Sequence, residues 1–157
     1  MTYELLEAQV RALCDDQPHW MAGLANVAAH MAEALDQINW VGFYLRGSFV
    51  DPTLDDDVLI LGPFAGKVAC ARIPFGKGVC GTAALRDQTL RVDDVHSFAG
   101  HIACDAASAS ELVVPLHAGG SVVGVLDIDS PIPSRFDAAD QAGLEAVARA
   151  IDFGKTG

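Results

Sequence analysis

The apolar positions of this chain keep helical spacing at both ends and switch to a period of two in between. Residues 3–15 alternate apolar and polar at helical spacing, and residues 18–37, alanine-rich and opening with Pro18, predict a second, longer helix. The run NWVGFYL (39–45) reads as a strand, and further strands are predicted at 57–61 and 67–73. A polar, acidic loop over 46–57, containing Pro52, separates the first strand from the next and is expected to be solvated. The segment GKGVCGTAALRD (76–87) reads as a glycine-rich turn entering a short helix, and residues 93–110 as mostly irregular. A hairpin follows, with strands ELVVPL and VVGVLDID around the turn HAGGS. The chain closes with FDAADQAGLEAVARAIDF, a helix for which Asp137 is the expected N-cap. Helices at both ends with strands between them predict an α+β fold, an antiparallel sheet packed on the terminal helices.

The hairpin carries the most pointed chemical signal. Alternation places Val123, Val125, Asp127 and Asp129 on one face of its second strand and Val122, Gly124, Leu126 and Ile128 on the other. Two carboxylates on one face are either a solvated strand end or the floor of a pocket. In a pocket, burial and mutual repulsion would raise at least one pKa and leave a neutral acid able to donate a proton. Parity decides whether Glu111 joins them. A two-residue Gly119-Gly120 loop pairs Ala118 with Ser121 and sends Glu111 to the wrong side. A three-residue loop pairs His117 with Ser121 and sets Glu111 opposite Asp127, diagonal to Asp129. The odd loop, or an equivalent bulge, is expected, with all three carboxylates on one face.

In NWVGFYL the same alternation puts Trp40, Gly42 and Tyr44 on one face. Two aromatics flanking a glycine are either structural packing or a notch for a small apolar group such as a methyl thioether, since sulfur–aromatic contacts are favourable.

Length and charge narrow the setting. At 157 residues one domain, 1–157, is expected. The formal charge of −11 would repel phosphate backbones and anionic membranes, so neither nucleic acid nor membrane is an expected partner. The N-terminus shows no targeting pattern, and a cytoplasmic location is expected, with the four cysteines reduced at rest and any disulfide transient and catalytic or redox-sensing.

Of the four cysteines, Cys14 lies on the apolar side of the first helix and reads as packing. Cys70, in the strand-like VACARI, reads as a buried structural thiol. Cys80 either packs under the helix it opens or, near that helix's N-terminus, has its pKa lowered by the dipole. Cys104, in GHIACDAASASE, is open between reactive and inert. A zinc site using His96, His101 and the cysteines lacks recognisable ligand spacing, and no metal is expected.

Together NWVGFYL, LGPFAGKVACARIPFGKGVCGTAA, RVDDVHSFAGHIACDAASASELVVPL and GVLDIDSP resemble the free methionine-(R)-sulfoxide reductases, single-domain enzymes of the GAF fold. The likeness runs from about Asn39 to Pro131, and its cysteines stand 10 and then 24 positions apart. It implies that Cys104 attacks the sulfoxide sulfur of free methionine-(R)-sulfoxide and becomes a sulfenic acid. It further implies that Cys70 resolves this as a disulfide, and that Cys80 can form an alternative disulfide or take the attacking role. Glu111 and Asp129, with Asp127, match the family's proton-supplying and substrate-binding positions. Trp40 and Tyr44 match those that receive the methyl end. Thioredoxin is the implied reductant, no cofactor is implied, and a homodimer would be typical of the fold. The rival reading is a non-catalytic GAF sensor of a small ligand or of redox state. It is disfavoured by the three cysteines and by the lack of room for an output domain. The loop over 46–57 is longer than the resemblance leads one to expect, and it either decorates the surface or covers the pocket.

Overall fold

The computed structural model describes residues 1–100 and 107–154. Helices α1 (Tyr3–Cys14) and α2 (Trp20–Ala34) lead into strand β1 (Trp40–Arg46). One-turn helix α3 (Gly47–Val50), strands β2 (Val58–Ala65) and β3 (Arg72–Pro74) and helix α4 (Gly78–Arg86) follow. Strands β4 (Leu90–Val92), β5 (Ser110–Ala118) and β6 (Ser121–Ser130) precede the last helix, α5 (Ala138–Ala150). The strands form one antiparallel sheet in the order β3-β2-β1-β6-β5-β4.

The sheet has two unlike faces. One packs Val41, Phe43, Leu45, Leu112, Val114, Leu116, Leu126 and Ile128 against Leu6 and Val10 of α1, Leu24, Val27 and Met31 of α2, and Leu144 and Val147 of α5. The other carries Trp40, Tyr44, Leu59, Val113 and Val125 under Val79, Cys80, Ala83 and Ala84 of α4. Alternation along each strand assigns the side chains to these two faces, so the apolar pattern fixes which residues can meet.

The terminal helices end close to their predicted limits, each stopped by local chemistry. Thr2 Oγ1 accepts from Leu5 N–H at the start of α1, and the ring nitrogen Nδ1 of His19 accepts from Met21 N–H at the start of α2. Asp137 caps α5 as expected, in a reciprocal box: its carboxylate accepts from Asp140 N–H at 2.8 Å, and Asp140 accepts from Asp137 N–H at 2.9 Å. Cys14 is half-buried against the helix-side core, as read.

Several details differ from expectation. The loop over 46–57 opens with the short α3, and β2 runs on to Ala65. The strand expected at 67–73 shrinks to Arg72–Pro74, which leaves Cys70 in an irregular segment instead of a strand. Strand β4 at Leu90–Val92 was not anticipated, because three half-exposed residues are too few to show a period. The acidic loop leaves β1 at the end away from Trp40. Arg46 pins it there: its guanidinium donates to the Asp56 carbonyl and carboxylate, and Ser48 Oγ donates to Asp56 Oδ1 at 2.6 Å.

Candidate active site

The turn of the β5–β6 hairpin is the two-residue one: Ala118 pairs with Ser121, and Gly119 and Gly120 both take left-handed φ values, 60° and 82°. That arrangement alone would turn Glu111 away from the aspartates. A bulge restores the parity. His117 pairs with Val122 but Leu116 pairs with Gly124, so Val123 is the extra residue. Val123 therefore turns into the helix-side core instead of sharing a face with Val125, Asp127 and Asp129. The register sets Glu111 directly opposite Asp129 and diagonal to Asp127, one pair along from the expected arrangement. All three carboxylates lie on the α4 side of the sheet.

Strand β1 completes the row. Trp40 pairs with Asp129, Gly42 with Asp127 and Tyr44 with Val125. Trp40 and Tyr44 are both almost fully buried, with ring centroids 5.9 Å apart and planes 21° apart. The notch expected over Gly42 is not empty. Phe64 of β2 pairs with Gly42, and a Cβ on Gly42 would lie 2.3 Å from that of Phe64. The Phe64 ring stacks on Trp40 at 5.2 Å. The aromatic box thus has three members. Phe64 was missed because its place depends on the β1–β2 pairing, which one strand's alternation does not reveal.

Cys80 enters from above. Its Sγ stands 3.8 Å from Glu111 Oε2, and the ligand-type atoms of Cys80, Glu111 and Asp127 lie within 4.8 Å of one another. Cys80 is 4% exposed, Asp127 5% and Glu111 7%. Asp127 Oδ1 is buried without a hydrogen-bond partner. Burial first, and then the charge of Asp127, pushes the Glu111 carboxyl well above the usual carboxylate range. Burial, with the neighbouring Asp129 charge, does the same to Asp127. Cys80 is likewise raised, by burial and then by the charges of Asp127 and Glu111. The dipole at the start of α4 was expected to lower it; a fully desolvated thiol facing two acids outweighs that effect. The pocket therefore favours neutral acids and a protonated Cys80.

Cys70 lies in the segment between β2 and β3, partly buried against the α4-side cluster, and is disulfide-bonded instead of the reduced, buried structural thiol expected, whereas Cys14 and Cys80 are free thiols. Cys104, the expected nucleophile, and His101 lie outside the described residues. Both sides of that segment join the sheet: Val95 N–H donates to the Ala109 carbonyl at 2.9 Å, and Ala109 N–H to the Ser130 carbonyl at 2.7 Å. His96 is exposed on a 3-10 turn and is not among the ligand-type side chains that converge in the described residues. No helix among the described residues is long and apolar enough to cross a membrane.

Residues 6–152 match the GAF domain family. The free methionine-R-sulfoxide reductase of Escherichia coli is 49% identical over 150 residues, covering 96% of this chain and 86% of that protein. The Saccharomyces cerevisiae protein of the same name is 44% identical over 155 residues, covering 95% and 83%. A structure of the Staphylococcus aureus fRMsr in complex with its substrate superposes with a TM-score of 0.84 at 50% identity, covering 95% of this chain and 92% of that one. With a sheet, an acid cluster and an aromatic box of this kind, and relatives this similar over nearly its whole length, the chain belongs to the free methionine-(R)-sulfoxide reductases, oxidoreductases built on the GAF domain.

Proposed function

We propose that this protein reduces free methionine-(R)-sulfoxide to methionine by thiol chemistry. The observation that carries the reading is a buried pair beside an aromatic box, Glu111 and Asp127, whose carboxyls burial pushes well above the usual range. Reducing a sulfoxide requires protons on a departing oxygen, and a carboxylic acid kept protonated near neutral pH is the group that supplies them. Trp40, Tyr44 and Phe64 offer π faces to the methyl and sulfur of the substrate. The unpartnered Asp127 Oδ1, with Asp129, suits the ammonium of a free amino acid. A methionine within a polypeptide lacks that ammonium and would leave the buried Asp127 oxygen without a donor.

In the first step the Cys104 thiolate attacks the sulfoxide sulfur while a neutral acid protonates the sulfoxide oxygen. The S–O bond breaks, the hydroxyl passes to the Cys104 sulfur as the transient bond between the sulfurs opens, and methionine leaves. The sulfoxide is thereby reduced and Cys104 is oxidised to a sulfenic acid. Cys70 then displaces water from it, forming the Cys70–Cys104 disulfide. Thioredoxin returns both thiols by thiol–disulfide exchange and is itself oxidised. Cys80 is the poorer nucleophile because its buried thiol resists ionisation, which favours Cys104 for attack and leaves Cys80 to a secondary disulfide.

Turnover of the two free methionine sulfoxide epimers with dithiothreitol tests the assignment. Activity on the R epimer is expected; activity on the S epimer alone, or on neither, removes it. Cys104→Ser is expected to abolish a single turnover. Cys70→Ser is expected to keep one turnover and lose recycling by thioredoxin.

A further inference from the structure

The polar tips of the aromatic box are both spent on backbone carbonyls of one segment. Trp40 Nε1–H donates to the Lys67 carbonyl at 3.1 Å, and Tyr44 O–H donates to the Cys70 carbonyl at 2.8 Å. The two donors stand four residues apart on one face of β1, and the two acceptors three apart on the segment that bears Cys70. That segment leaves β2 at Ala65 and rejoins the sheet at Ala71, whose carbonyl accepts from Leu61 N–H at 3.0 Å. It lies tight on Trp40: Gly66 has φ 147°, and a Cβ there would stand 2.4 Å from Trp40 Cδ1. Clasped at Lys67 and Cys70, it turns Val68 outward, 88% exposed.

We infer that Trp40 and Tyr44 are positioning residues for Cys70, their side-chain donors clasping the backbone of its segment so that the residues forming the substrate box also aim the resolving sulfur. Packing alone would be served by phenylalanine at both positions. A hydroxyl and an indole N–H that are both buried, and both spent on carbonyls of one segment without regular structure, set that segment's path. Tyr44 suits the task because burial, and then the charge of Asp127, hold its hydroxyl protonated, so it remains a donor throughout. The box and the resolving segment then move as one unit.

This rests on the reading of Cys70 as the cysteine that closes the disulfide. The readout is the partition of the Cys104 sulfenic acid between disulfide, which releases water, and capture by dimedone. Hydrogen peroxide makes the same sulfenic acid, with water as its other product, and needs no reductase activity. The peroxide arm therefore tests the clasp even if methionine sulfoxide proves not to be the substrate, and the sulfoxide arm tests the function by itself. In Tyr44→Phe, which keeps the ring and removes the hydroxyl, the trapped-to-disulfide ratio is expected to rise about tenfold, the effect of losing one buried hydrogen bond. Gly66→Ala, which lifts the segment off Trp40 and leaves every donor in place, is expected to raise it in the same direction. It also serves alone should Tyr44→Phe not fold. A ratio at or below that of the unaltered enzyme in either variant overturns the inference.

Discussion

Asp127 and Asp140 are both aspartates set against packed apolar surface, and their surroundings drive them in opposite directions. Burial would raise Asp140, but Tyr3 O–H at 2.6 Å, the Asp137 backbone N–H and the Arg135 guanidinium outweigh it and hold its carboxyl below the usual range. Asp127 has a carboxylate for a neighbour and an oxygen with no donor, and burial lifts it well above that range. The first joins α5 to α1 and has its hydrogen bonds satisfied inside the protein. The second is left unsatisfied, and at a cost, since an unpaired buried polar atom opposes folding. A fold keeps such a group where chemistry requires it. The contrast extends to the two sheet faces: one is apolar and closed by three helices, the other sets buried acids beside aromatic side chains under α4.

The largest effect expected from breaking this contrast is on the acid side. Glu111→Gln keeps shape and removes the proton donor proposed above, so reductase activity should fall by about a hundred- to ten-thousandfold, the usual worth of a positioned acid. Stability should move the other way. Glu111 holds a proton in the fold above the pH at which the unfolded chain releases it, so the unfolded state binds fewer protons. Stability is then full below the unfolded carboxylate pKa and falls as pH rises toward the raised folded value, by about 1.4 kcal/mol per pH unit for each retained proton. Urea unfolding of the reduced protein between about pH 6 and pH 8 should show a shallower decline in Glu111→Gln and a higher midpoint at the upper end. An unchanged slope would mean that Glu111 is ionised in the fold.

How much of this was legible beforehand follows the same division. The helix-side core and the terminal helices were plain from the 3.6 and 2 periodicities, because there each apolar residue has one place to go. The carboxylate face was legible in kind but not in register. Val122, Val123 and Val125 suit either side of a strand, so nothing in the pattern marks Val123 as the bulged residue that sets Glu111 opposite Asp129. Phe64 and the clasp on Cys70 depend on pairing between strands that the chain order alone does not reveal. Cys80 shows the limit of a local rule: a helix N-terminus lowers a thiol pKa only where burial and acidic neighbours do not raise it more.

The helix face should respond to truncation in stability. Phe43 is fully buried among the helices, and Phe43→Ala is expected to cost about 3–5 kcal/mol in urea unfolding, through lost burial and the cavity it leaves. The rate per folded molecule should change far less than in Glu111→Gln. A loss of activity as large as that variant's, measured where Phe43→Ala is fully folded, would show that the two faces are not separable.

The smallest expected effect sharpens the comparison of the two aspartates. Asp140→Ala removes the acceptor for Tyr3 and half of the α5 capping box, both at the joint between α1 and α5 and away from the acid cluster. A loss of about 1 kcal/mol near neutral pH is expected, the usual worth of such a cap and its hydrogen bond. The sign of its pH dependence is the informative part. A carboxyl whose folded pKa is depressed stabilises the fold above its unfolded pKa, and that contribution is lost as pH falls through the folded value. The difference between Asp140→Ala and the unaltered protein should therefore be full near pH 7 and shrink in acid. The Glu111→Gln difference has the opposite sign: that variant gains stability on the unaltered protein as pH rises, whereas Asp140→Ala loses it. If Asp140→Ala instead gained stability on the unaltered protein as pH rose, Asp140 would belong with the strained acids of the site, and the division of the molecule into a satisfied face and an unsatisfied one would fail.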